Sequence, residues 1–99
     1  YADLNAGVSA SRVTEAFAAF YAEAPFVRLF GRQTPTTLQV RGTNYCDLGW
    51  VVDERTGRVI IVSVIDNLAR GASAQAVCNL NLMFGLPEQA GLHFPPWQP

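Results

Sequence analysis

The chain has no lysine. Its seven basic residues are all arginine (12, 28, 32, 41, 55, 58 and 70), eight residues are acidic, and charged residues make up only 15% of the 99, for a net charge of −1. That balance excludes the basic footprint that nucleic acid or an anionic membrane surface requires, so neither is expected as a partner. Histidine is scarce too: His93 stands alone, and Cys46 and Cys78 are the only cysteines. One imidazole and two separated thiols do not supply the three or four ligands of a zinc site, so no metal is expected. At most one disulfide can form and no signal-peptide pattern is present, so a reduced, cytoplasmic setting is expected. Long apolar runs are also missing. The longest, Val59–Ile65, is far too short to span a bilayer.

Aliphatic, aromatic and sulfur residues make up 49% of the chain, a globular composition well away from disorder. A chain this short forms one domain at most and buries roughly 60–65% of its unfolded surface. The sequence opens on Tyr1, not Met, already in what reads as a strand, and we read it as a piece of something longer.

Tyr1–Leu4 reads as a strand end, closed by the turn Asn5-Ala6-Gly7. Ser9 or Ser11 can cap the helix that follows, and Val13, Phe17, Phe20 and Tyr21 recur at helical spacing as one apolar stripe. Ala24-Pro25 stops it. Phe26–Phe30 reads as a strand, Gly31–Thr37 as a polar loop, and Leu38–Arg41 as another short strand. From Asn44 the chain alternates, with Cys46, Leu48, Trp50 and Val52 on one face and Tyr45, Asp47, Gly49 and Val51 on the other. Asp53–Gly57 makes a hairpin turn, with Gly57 supplying positive φ. The returning strand, Val59–Ile65, is apolar at every position but Ser63, the pattern of a strand buried on both faces. Two helices cannot cover both faces of such a sheet, so another domain or subunit is expected on the second.

A last helix spans 66–85. Asp66 is its N-cap, Ala76 or Val77, Leu80, Met83 and Phe84 its apolar face, and Gly85 its stop before Pro87. The tail Gly91–Pro99 reads as extended. The result is an α+β fold with a mixed or largely antiparallel sheet and helices on one face.

No residue here carries catalysis unaided. Cys46 lies mid-strand beside anionic Asp47 with no neighbouring histidine, the setting of a packing thiol rather than a nucleophile, and Cys78 within the last helix reads the same way. A Cys-His dyad would need the tail to bring His93 back over the sheet. Gly71-Ala72-Ser73-Ala74 matches neither a dinucleotide fingerprint nor a P-loop. Asp53, Glu54 and Arg55 read as a solvated turn.

Longer stretches resemble one family. Val40-Arg41-Gly42-Thr43-Asn44-Tyr45-Cys46-Asp47-Leu48-Gly49, the hairpin Val52–Val59, the run Ile65-Asp66-Asn67-Leu68-Ala69-Arg70-Gly71-Ala72-Ser73-Ala74-Gln75-Ala76-Val77 and Asn79–Leu86 are similar, in order and at the right spacing, to N-acetyl-γ-glutamyl-phosphate reductases. The likeness runs from about Ala24 to Gly91. It implies an enzyme whose Rossmann domain binds NADP and whose second domain, like that of glyceraldehyde-3-phosphate dehydrogenase, shapes the substrate site and the subunit contacts. Residues 1–99 would then be the C-terminal part of that second domain, without the nucleotide loop, the catalytic cysteine or the catalytic histidine. The substrate implied is N-acetyl-γ-glutamyl phosphate, reduced with NADPH to the semialdehyde in arginine synthesis, and the assembly implied is a homo-oligomer through the sheet.

Only Asn67 is carried over as a site residue. In the wider superfamily an Asn after Asp at this point holds the nicotinamide carboxamide, with an amide that can both donate and accept. The same residue can cap the helix instead, and the sequence leaves both readings open. Arg70, Cys78 and Ala69 stand where the family usually has Lys, Gln and Val. A similar reductase for a carrier-linked aminoadipyl phosphate in lysine synthesis, and a free-standing non-catalytic α+β module, are the alternatives.

Overall fold

A computed structural model describes residues 1–97; Gln98 and Pro99, the end of the expected tail, lie outside the described residues. The strand β1 (Ala2–Asp3) is followed by the helix α1 (Ala10–Phe20), β2 (Val27–Gly31), a short helix α2 (Thr37–Val40), β3 (Cys46–Asp53), β4 (Arg58–Ile65), a π-helical turn (Ala69–Ser73) and α3 (Ala74–Met83). The strands form one sheet in the order β1-β4-β3-β2. β3 and β4 are antiparallel and paired from Cys46↔Ile65 to Asp53↔Arg58. β2 runs parallel to β3, and β1 is antiparallel to β4. The fold is therefore α+β with a mixed sheet.

The hairpin forms where the residues place it: Gly57 has φ 66°, and the Asp53 carboxylate accepts from the Arg55 N–H at 3.0 Å. Ser9 caps α1, its hydroxyl accepting from the Arg12 N–H. On one face of the sheet Val13 of α1 packs with Trp50 and Val59, with Phe17 stacked on Trp50 at 4.4 Å. The Trp50 indole N–H donates to Thr14 Oγ1 at 3.2 Å, so the ring's polar edge is satisfied as it is buried. Phe20 leaves the stripe and is 81% exposed, touching Tyr21 edge-on.

The strand expected over Leu38–Arg41 is instead helical over Thr37–Val40. The reason is a start signal: Gln39, three residues after Thr36, turns back so that its Oε1 accepts the Thr36 N–H at 2.8 Å. This segment also changes the layering. Arg28 clasps fully buried Asp47 through Nε (2.7 Å) and Nη2 (2.8 Å), and the same Nη2 donates to the Gln39 carbonyl at 2.9 Å. Gln33 and Pro35 lie against Gly49 on that same face. Helical cover is thus on both sides, α1 on one and α2 on the other. A buried carboxylate left without its guanidinium costs about 3–5 kcal/mol, so this pair fastens the second layer.

α3 does not lie on the sheet. It packs beyond the sheet's end, with Ala74 and Cys78 against Phe26 and Leu92. Its buried residues are Ala74, Cys78 and Asn81, while Val77, Leu80, Met83 and Phe84, the face expected to be inward, are 37%, 52%, 82% and 72% exposed. The helix is apolar around most of its circumference, so sequence alone favoured the larger side chains. Its end is as read: Gly85 has φ 68°, with Leu86 N–H bonding the Asn81 carbonyl and Gly85 N–H that of Leu82. The Asn81 amide then donates to the Glu88 and Ala90 carbonyls, folding the tail back so that Leu92 is buried. Among the described residues no helix is long and apolar enough to cross a membrane.

A Cβ at Gly49 would collide with the Gln33 carbonyl and stand 2.7 Å from Pro35 Cδ, where backbone cannot easily give way. Gly49→Ala is therefore expected to cost about 2–3 kcal/mol, against a few tenths for an open site. Urea denaturation of the variant measures it, and an unchanged midpoint would mean the loop does not seat on β3.

Candidate functional site

At the end of β4 three segments meet through one carboxylate. Asp66 Oδ1 accepts from the N–H groups of Leu68 (2.8 Å) and Ala69 (2.7 Å), and Oδ2 from that of Gly42 (2.9 Å). The first two are the free donors at a helical start. The third belongs to the loop before β3, where Gly42 has φ 73°. These N–H groups, that of Gly42 foremost, and the nearby Arg41 guanidinium hold the Asp66 carboxyl below the usual carboxylate range, against an opposing push from burial.

Asp66 is the cap, as read, but the helix it opens is not uniform. The first turns are π-helical: Gly71 N–H reaches the Asp66 carbonyl (2.9 Å) and Ser73 N–H that of Leu68 (3.0 Å). Such widened turns cluster at functional sites. Gly71 allows this one, because Asn67 Oδ1 and the Asp66 carbonyl lie 3.4 Å from where its Cβ would be.

Asn67 is left exposed, and among the described residues its side-chain amide has no hydrogen-bond partner. The capping reading falls to Asp66, since both N–H groups within an Asn67 cap's reach are already held. Asn67 stands between Asp66 and Leu68, which with Arg41, Gly42 and Trp97 line a cavity of about 360 Å³. Trp97 forms its lid, with its N–H on the Arg41 carbonyl at 2.9 Å and its ring 3.0 Å from where a Gly42 Cβ would be.

Behind the loop lies a polar cluster that motif reasoning passed over. Asn44, almost fully buried, donates from Nδ2 to Cys78 Sγ at 3.2 Å and accepts from Arg70 Nη1 at 3.5 Å. The Arg70 guanidinium lies over the Phe26 ring at 5.8 Å. The two departures from the family pattern, Arg70 and Cys78, are therefore neighbours, joined through Asn44. Cys78 is buried, as expected. Cys46 is only half-buried on the sheet face that α1 leaves open, with Sγ 3.4 Å from Ser63 Oγ. The face was read correctly, but its cover is incomplete. His93 packs on Phe26 with ring centroids 5.6 Å apart. The structure brings neither thiol to it among the described residues.

The largest cavity, about 530 Å³, lies elsewhere, between α1 and the hairpin, lined in part by Thr14, Arg32, Trp50, Asp53 and Glu54. Its polar groups are largely engaged: the Trp50 N–H on Thr14, and Asp53 with the Arg55 N–H and, at 3.6 Å, its guanidinium. The Asp66 corner, with a free amide beside a cavity and a π-helical turn, is the better candidate.

Comparison with known proteins points to the same end of the chain. Residues 1–67 match the family described as semialdehyde dehydrogenase, dimerisation domain. A protein of Syntrophobacter fumaroxidans named N-acetyl-gamma-glutamyl-phosphate reductase is 56% identical over 99 residues, covering all of this chain and 29% of the relative. One of the same name from Desulfotalea psychrophila is 46% identical over 100 residues, again 29% of its length. A third, from Geobacter sulfurreducens, is 60% identical over 77 residues, 77% of this chain and 22% of the relative. The chain thus spans less than a third of these relatives. The family match ends at Asn67, where the sheet gives way to the π-helical turn.

The depressed acidity of Asp66 fixes a sign for stability against pH. Because its folded-state pKa lies below the unfolded value, its contribution is fully present above the unfolded pKa and is lost as pH falls through the folded one, a window below about pH 5. Asp66→Ala should lower stability at pH 7 by about 1–2 kcal/mol and flatten that acid slope. Urea titrations from pH 7 down to pH 3 test it. A variant that keeps the parent's slope would show that Asp66 is not the group responsible.

Proposed function

The chain belongs to the semialdehyde dehydrogenase dimerisation-domain family, and from that premise we propose that it is the subunit-contact part of an NADP-dependent N-acetyl-γ-glutamyl-phosphate reductase. Identity of 56% over the whole chain to a protein of that name carries this reading. The remainder of the intact protein supplies the nucleotide-binding domain and the cysteine and histidine that act on the acyl phosphate. This chain supplies a sheet whose open face joins subunits into a homo-oligomer, and one cofactor contact. Leu29, Ile61 and Ile65 are 37%, 43% and 41% exposed on that face, a cost in water that a second subunit removes. The cytoplasm is the setting this synthesis implies.

Asn67 is that contact. A carboxamide needs a donor and an acceptor side by side, and the Asn67 amide, exposed and with no partner in the chain, offers both. Nothing else here fits a dinucleotide: no glycine-rich phosphate loop is present in the 99 residues. NADPH, when bound, supplies the hydride. Asp66 fixes the direction of Asn67 by locking the backbone on either side of it, through Gly42 before and Leu68 and Ala69 after.

The intact protein should form semialdehyde and phosphate from N-acetyl-γ-glutamyl phosphate and NADPH, whereas the 99-residue chain alone should show no turnover. Preference for a carrier-linked aminoadipyl phosphate would move the assignment to lysine synthesis. In the intact protein Asn67→Ala should raise the KM for NADPH about 10- to 100-fold, the loss of one or two hydrogen bonds worth about 1–3 kcal/mol. Its Tm should move by less than about 2 °C, because Asp66 holds the cap. An unchanged KM with a Tm several degrees lower would return Asn67 to a purely structural role.

A further inference from the structure

β4 has one bare edge. β1 pairs with it only at Ala2↔Val59 and Asp3↔Arg58, with the Leu4 N–H reaching the Gly57 carbonyl at 2.7 Å. In an antiparallel ladder, pairs that exchange both hydrogen bonds alternate with pairs that exchange none. Gly57 and Val59 face β1, so Ile61, Ser63 and Ile65 turn their N–H and C=O groups to the same side, where no strand lies among the described residues. Natural edge strands are protected by charge, proline or a bulge. From Ile60 to Ile65 this edge has none of these: the residues are Ile, Ile, Val, Ser, Val and Ile, in unbroken register with β3. A bare edge of this kind is built to be paired.

We propose that the occupant is the segment of the intact protein directly preceding Tyr1, which continues β1 antiparallel along β4 to Ile65. Partner numbers add to 61 in both observed pairs, so the first, third and fifth residues before Tyr1 fall opposite Ile61, Ser63 and Ile65. Three observations select this occupant over a second copy of the chain. β1 already lies on this edge and its N-terminal end points along it. A partner's strand pairing over Ile61–Ile65 would collide with any residue ahead of Tyr1. The relatives extend well beyond this chain, which covers 29% of a relative at 56% identity.

The strand has a consequence for the site. Its far end lies opposite Ile65, two residues from Asn67. The chain therefore enters the domain at the same corner where it leaves the sheet for the π-helical turn. Both connections to the rest of the protein sit beside Asn67, which is where a nucleotide-binding domain must be held if Asn67 is to reach its cofactor. The placement of the strand itself does not depend on that function.

Two measurements on the intact protein test this. Amide hydrogen exchange at Ile61, Ser63 and Ile65 should be slower than in the 99-residue chain by about two orders of magnitude, and independent of protein concentration. Separately, cysteines placed at Val62 and at the second residue before Tyr1 face each other as a non-hydrogen-bonded pair, the closer kind. Mild oxidation should link them within one chain, and moving the upstream cysteine by one residue should abolish the link. Exchange at the three amides as fast as in the short chain would overturn the proposal whether or not the cysteine variant folds. So would protection that appears only on raising the concentration, or a Val62→Cys disulfide formed between two chains.

Discussion

One carboxylate settles the geometry at the functional end of this molecule. Asp66 collects three backbone N–H groups from two segments that are 24 residues apart in sequence at their widest. Without it the loop carrying Gly42 and the π-helical turn would be joined only by weaker packing. With it they become one piece, attached to the last residue of β4. The positive φ of Gly42 turns that N–H toward the carboxylate and leaves a surface flat enough for Trp97. The charge is on the right side of the turn as well, since helical starts favour anions. Asn67 inherits its position from this clamp, which is why a residue with no contacts of its own can still be precisely placed.

How much of this was legible depended on whether the signal was local. The β3–β4 hairpin was, because alternation from Cys46 to Val52 and the Asp53–Gly57 turn act over a few residues. The cap at Asp66 and the Schellman end at Gly85 were legible for the same reason. The segment Leu38–Arg41 was misread because the decisive contact, Gln39 to the Thr36 N–H, depends on a side chain folding back onto the backbone. The face of α3 was misread for a different reason. With apolar residues nearly all round, size suggested that Leu80, Met83 and Phe84 point inward. The site they would have filled is taken by Cys78 and Ala74 against Phe26. Asn44 between Arg70 and Cys78 had no motif to announce it. Its partners come from 26 and 34 residues away.

The chain also carries more apolar surface than it covers. Its radius of gyration is 15.4 Å, where a closed domain of this length has about 13 Å, and its thinnest dimension is 17 Å. That thickness accommodates a sheet with a single layer of helix over part of it. The sequence pattern of β4 called for cover on both faces, and within this chain that cover is supplied only near Val59, by α1. Leaving Ile61 and Ile65 more than 40% exposed loses stabilisation of about 25 cal/mol for each Å² of apolar area kept in water. A sequence that keeps such residues on a strand keeps them for a surface the isolated chain does not contain.

The exposed apolar regions are not scattered, and their arrangement links assembly to the site. The open sheet face, the bare edge of β4 and the outer face of α3 all border the stretch from Ile61 to Leu80, with Asn67 in the middle. Residues ahead of Asn67 fall within the matched dimerisation family, and the residues after it do not. Asn67 is thus the hinge point between a part that meets other subunits and a part that does not belong to that task. Because Ile65 and Asp66 are consecutive, any shift of β4 on assembly is passed to the Asp66 clamp within one residue, and through it to Gly42 and the direction of Asn67. Packed interfaces shift between discrete arrangements rather than bending continuously. A rigid β4, fixed on its face and along its edge, is accordingly the condition under which the Asn67 amide points in one direction.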